Sequence, residues 1–103
     1  MEFKEEELEK SYKRLHPTTK MVVGMFESYC MDLNTNVCVL DVSKRSVTVG
    51  CLVNFPTSVD LLKKFNRDVR SRSGDPILSL IDNQDELAIF NIHTKVRDAV
   101  LVH

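Results

Sequence analysis

The chain has 103 residues, 43% of them hydrophobic and 28% charged, with a formal net charge of −1. This composition fits one domain over 1–103 with a single core, and it excludes both a disordered chain and a global electrostatic attraction to nucleic acid. No apolar run approaches the roughly 18–20 residues that cross a bilayer, and the N-terminus is acidic where a signal peptide is basic and then apolar; the expectation is a cytoplasmic protein with no membrane partner.

Residues 1–16 read as an acidic N-terminal helix. Glu5, Glu6, Glu7 and Glu9 come first and Lys10, Lys13 and Arg14 last, the order that complements a helix macrodipole. Leu8, Tyr12 and Leu15 follow at spacings of four and three, a narrow apolar stripe that nominates this segment as an interaction arm and these three residues as its partner-binding face. Pro17 is tolerated only in a first helical turn, so a second helix starts near it. Val22, Phe26, Tyr29 and Leu33 form its buried stripe, and Asn34-Thr35-Asn36 supplies the stop.

Residues 36–55 read as a central β-hairpin around the polar break Ser43-Lys44-Arg45-Ser46. A short loop there sets Val42 opposite Val47, Leu40 opposite Val49 and Cys38 opposite Cys51. One face is then apolar (Cys38, Leu40, Val42, Val47, Val49, Cys51, extended by Val53 and Phe55), and the other (Val37, Val39, Asp41, Thr48, Gly50, Leu52, Asn54) is mixed and only partly covered. Thr57 is the natural N-cap of a third helix over 58–70, with Asp60 in a short-armed capping box. Leu61, Leu62, Phe65 and Val69 face inward on it, opposite Lys63, Arg67 and Arg70.

After a polar loop at 71–76, two strands at 77–82 and 87–94 flank the break Asn83-Gln84-Asp85-Glu86. The simplest register puts Ile77, Ile81, Ala88, Phe90 and Ile92 on one face and Leu78, Leu80, Leu87 and Ile89 on the other, as for a pair inside a sheet. The β-branched tail at 99–102 predicts a fifth strand. Together these give an α+β domain: two helices, a hairpin, a helix and two or three further antiparallel strands in one sheet, with helices mainly on one face. The succession is similar in outline to small regulatory folds of the profilin, longin and roadblock kind. That likeness implies a layout and, with no shared residue motif, no function.

Reactive constellations are sparse. Cys30, Cys38 and Cys51 sit in apolar runs without CxxC spacing and read as reduced core thiols, with Cys38 facing Cys51 as two small core residues. His16, His93 and His103 lack ligand spacing, so neither a metal nor a cofactor is expected. Asp82, Asp85 and Glu86 read as solvated loop charges, and Gly24, Gly50 and Gly74 are too isolated for a phosphate loop. The leading expectation is a small non-enzymatic protein–protein interaction or regulatory module that forms a homo-oligomer. The alternative is an RNA- or DNA-binding protein using Lys63, Lys64, Arg67, Arg70 and Arg72, supported by Lys44 and Arg45. Ser71 and Ser73, set among arginines, are chemically plausible phosphorylation positions that would partly cancel such a patch.

Overall fold

The computed structural model describes residues 1–71, 74–95 and 99–101. Arg72, Ser73, residues 96–98, Val102 and His103 lie outside the described residues, so the readings placed on them are not carried further. In chain order the elements are β1 (Glu2–Phe3), α1 (Glu6–Lys13), α2 (Pro17–Asp32), β2 (Cys38–Val42), β3 (Ser46–Leu52), α3 (Thr57–Asp68), β4 (Val69–Ser71), β5 (Leu78–Gln84), β6 (Leu87–His93) and β7 (Ala99–Leu101). This is the expected α+β class. Five strands in the order β1-β2-β3-β6-β5 form one sheet, with β1 parallel to β2 and every other pair antiparallel. The helices lie side by side across one face: α1 over β2, α2 over β3 and β6, and α3 over β5.

The core forms where α2 and α3 meet the inward rows of the central strands. Phe26 of α2, fully buried, meets the rings of Phe65 of α3 at 5.6 Å and Phe90 of β6 at 5.2 Å, both edge to face. Val47, Val49 and Cys51 of β3 sit directly opposite Ile92, Phe90 and Ala88 of β6, all buried. Pro17 opens α2 in its first turn as expected, and His16 Nδ1 accepts from Thr18 N at 3.1 Å to cap it. Asn34 closes the helix in the left-handed region (φ 56°): Asn34 N donates to Met31 O and Thr35 N to Cys30 O, a Schellman pair.

Leu33, expected in the buried stripe of the second helix, is instead its exposed C-cap, and the structure differs from the sequence reading in four further places. Residues 2–3 leave the predicted helix to form β1, because Glu2 N and Lys4 N find the Val37 and Val39 carbonyls on the free edge of β2, each at 2.9 Å. In the hairpin Val42 does face Val47, but Val39, not Leu40, faces Val49, and Cys38 faces Gly50, not Cys51. A β-bulge at Leu40 adds one residue to β2 and changes its alternation midway, so that Val37 and Val39 are buried and Val42 is partly so, while Cys38 and Leu40 turn to the opposite face. Phe55, expected on the apolar face, is 67% exposed.

A second bulge at Ile81 does the same in β5. Leu78 and Leu80 stand opposite Ile92 and Phe90 on the helix side, and Ile81 is turned out. Only β6 of this pair is interior; β5 is a sheet edge. Finally, α3 begins after Pro56 with no side-chain cap from Thr57, and it stops at Asp68. Residues 69–71 pair instead with β7, so the predicted final strand exists but belongs to a separate two-stranded sheet.

Candidate functional site

The nominated partner-binding stripe of α1 is mostly used inside the chain. Leu15 is buried in the core, Tyr12 packs against it with its ring 5.5 Å from that of Phe3, and Leu8 is half-buried. Its apolar area is therefore not free for a partner to the extent its spacing suggested.

The basic residues divide into two groups on opposite sides of α2. On α3, Lys63, Lys64 and Arg67 are exposed, with Arg70 following in β4. Arg67 Nε pairs with Asp68 Oδ1 at 3.2 Å, Lys64 Nζ lies 5.5 Å from the centre of the Tyr29 ring, and Arg70 Nε donates to Arg67 O. Ser71 Oγ donates to Asp75 O at 2.9 Å. Lys44 and Arg45, by contrast, stand beside α1: they line a pocket of about 570 Å³ with Arg14, His16, Leu15 and Val42. The structure thus removes them from the α3 stripe and joins them to Arg14, which the sequence reading had placed among the basic residues that end the first helix.

Tyr29 ties α2 to the end of α3 by donating to Asp68 Oδ2 at 2.5 Å. Partial burial, this hydrogen bond and the Asp68 charge push its phenol up from 10.0 to about 12, while the same bond and Arg67 hold Asp68 below the usual carboxylate range. Between pH 10 and about 12 the unfolded chain has lost the Tyr29 proton and the folded chain keeps it, so stability falls as pH rises through that window. Denaturation followed across this range is expected to show a steeper alkaline loss for the wild type than for Tyr29→Phe; identical slopes would refute the coupling.

Among the described residues no helix lies on the sheet face away from α1, α2 and α3. Thr48, Gly50 and Leu52 of β3 and Leu87, Ile89 and Asn91 of β6 form its uncharged centre. Both bulges deliver an aliphatic residue to this face, Leu40 from one flank and Ile81 from the other. Ile81 is 57%, Leu87 44% and Leu52 69% exposed, the last being the most exposed large hydrophobic residue described. Gly50 lets Leu40 lie flat on the sheet, since a Cβ at Gly50 would sit 3.2 Å from Leu40 Cδ1. Leu40, Gly50, Leu52 and Leu87 line a trough of about 440 Å³ that Cys38 and Glu2 complete at its edge. Alternation counting placed Leu40 in the core and so missed this surface; only the mixed character expected of the Thr48-Gly50-Leu52 row hinted at it.

The thiols occupy other positions than the hairpin register implied. Cys30 and Cys51 are buried and adjacent, and Cys38 is half-buried on the open face. The neighbouring Cys51 thiol, burial and the charge of Glu27 all push the Cys30 thiol up, which keeps it protonated. His93 is exposed at the end of β6, an interior strand. Among the described residues no group of three or more His, Cys, Asp or Glu is placed to hold a metal ion, and no helix is long and apolar enough to cross a membrane. Fold and surface together define an α+β domain with one bare sheet face and one cation-lined pocket. Comparison with protein-family models, curated proteins and solved structures finds no match for this chain.

Proposed function

We propose that this chain is a non-enzymatic interaction module that associates with a second copy of itself through the open sheet face. The observation that carries the reading is the pair of bulges, which turn Leu40 and Ile81 outward onto a face that already exposes Leu52 and Leu87. A bulge is a local backbone feature kept where it re-aims side chains, and a monomer gains nothing by aiming these two into water. The uncharged centre lets the middle of the contact form without desolvating an ion, while Glu2, Asp41 and Asp82 lie in its rim.

Size is compatible with such a contact. Strands spaced about 4.8 Å apart with a rise of about 3.3 Å per residue give the whole five-stranded face about 500 Å², so two faces bury about 1,000 Å², the lower bound of a specific interface, when the flanking strands that carry Asp41 and Asp82 take part. Twisted sheets packed face to face, about 10 Å apart, are a standard way to cover such rows. Nucleic-acid binding through α3 draws less support, because Arg67 is paired with Asp68, Lys64 leans on Tyr29, and Lys44 and Arg45 lie beyond α2.

Sedimentation velocity over a concentration series tests the proposal. The wild type is expected to form a dimer in the micromolar range, and Leu52→Glu to be monomeric and as stable as the wild type at dilutions where that too is monomeric, since Leu52 contributes little to the core. A wild type that stays monomeric at about 0.1 mM, where even weak specific pairs associate, overturns it.

A further inference from the structure

We propose that the pocket between the end of α1 and the β2–β3 turn binds a small ligand bearing a phosphate group. Arg14, Lys44 and Arg45 come from segments about thirty residues apart and converge on one pocket of about 570 Å³, within the roughly 300–1,000 Å³ that small-molecule sites occupy. Among the described residues no carboxylate lines it. The ion pairs of the described residues are those of the N-terminal ammonium with Glu27, Lys13 with Glu9, and Arg67 with Asp68, so all three pocket cations are without a carboxylate partner. In a chain of net charge −1 this is a local concentration of positive charge. The acidic residues of α1, Glu6, Glu7 and Glu9, lie in its first turn, at the end away from the pocket.

The frame around these cations is held by hydrogen bonds that do not use their side chains. Ser43 N donates to Ser46 O at 2.8 Å, Thr94 N donates to Arg45 O at 2.9 Å, and Arg14 N donates to Ser11 O at 3.2 Å. A buried bond of 2.6 Å between the Thr19 and Thr94 hydroxyls fixes the start of α2 to the same end of the sheet. With Nδ1 of His16 occupied as the acceptor from Thr18 N, the neutral ring carries its proton on Nε2, a further donor at the pocket wall.

The chemical class follows from these groups. A phosphomonoester carries about −1.5 to −2 charges and three acceptor oxygens, a match in charge and donor number for the two guanidinium groups and the ammonium that line this pocket. Leu15 and Val42 add an apolar wall, which favours a phosphate carried on a small apolar body over bare phosphate. Convergence on a single pocket, with the α3 cations beyond α2, favours a compact ligand over a nucleic-acid strand, whose phosphates need a track of cations.

Amide NMR of the full chain, titrated with phenyl phosphate, inorganic phosphate, benzoate and a single-stranded oligonucleotide, tests this. Saturable shifts are expected at Arg14, Lys44 and Arg45, with phenyl phosphate binding more tightly than inorganic phosphate or benzoate and weakening as salt rises. The double variant Lys44→Gln/Arg45→Gln, confined to exposed turn side chains, should lose about tenfold or more in affinity, the scale of two charge-assisted contacts, and Leu52→Glu should bind as the wild type does. Absence of saturable shifts, undiminished affinity in the double variant, or tighter binding of the oligonucleotide than of phenyl phosphate would each overturn the assignment.

Discussion

Replacing Phe26 with alanine is expected to lower the unfolding free energy by about 3–5 kcal/mol, the cost of removing a fully buried aromatic side chain and leaving a cavity. A domain of this length has about 5–15 kcal/mol in total, so the variant is marginal or unfolded at 37 °C. Phe26 stands out among the core residues because its ring contacts, with Phe65 at 5.6 Å and Phe90 at 5.2 Å, join α2 to both α3 and the sheet. Tyr29 extends the same cluster, 5.3 Å from Phe65. Edge-to-face pairs are each worth about 0.5–1.5 kcal/mol beyond area burial. Phe26→Leu, which keeps most of the volume and loses the ring geometry, should therefore fall well short of the alanine variant in a urea titration. Equal losses for the two would mean that the ring contacts, and not the filled space, dominate.

How much of this was legible beforehand depends on what kind of information each feature needs. The helices over 17–32 and 57–68 and the two hairpins follow from apolar spacing and from Pro17, Asn34 and the polar breaks, which are local signals. The bulges are not local. Leu40 and Ile81 are aliphatic residues in alternating runs, and only the competition of Val37, Val39 and Val42, or of Leu78 and Leu80, for the same side decides which residue is extruded. Two-residue β1 and three-residue β4 carry too little pattern to be read at all; each exists because a neighbouring edge offers hydrogen-bond partners. The pocket of Arg14, Lys44 and Arg45 is likewise a product of topology, since β2 has to lie beneath α1 before the turn can meet the helix end.

The second large effect is expected at Asn66, a residue that looks like an unremarked polar position on the flank of α3. Its side chain closes the free edge of the sheet: Nδ2 donates to Leu78 O at 2.8 Å and Oδ1 accepts from Leu78 N at 3.0 Å. Leu78 faces Ile92 across the β5–β6 pair, but it is Ile77 O that accepts from His93 N there, so the two backbone groups of Leu78 point off the edge and are met by the amide as a neighbouring strand would meet them. Asn66→Ala leaves a donor and an acceptor unpaired beside a buried side chain, each costing about 1–3 kcal/mol; a combined loss of about 2–4 kcal/mol is expected by denaturant titration. Asn66→Asp separates hydrogen bonding from packing. As a carboxylate it still accepts from Leu78 N but opposes Leu78 O, whereas the protonated acid again offers one donor and one acceptor. Its folded-state pKa is therefore raised above the unfolded value, and the stability it contributes is present at low pH and lost as pH rises through the folded pKa. The Asp variant should thus gain on the wild type as the solution is acidified, while the Ala variant keeps a constant deficit. A pH-independent deficit for both would show that Asn66 acts by packing alone.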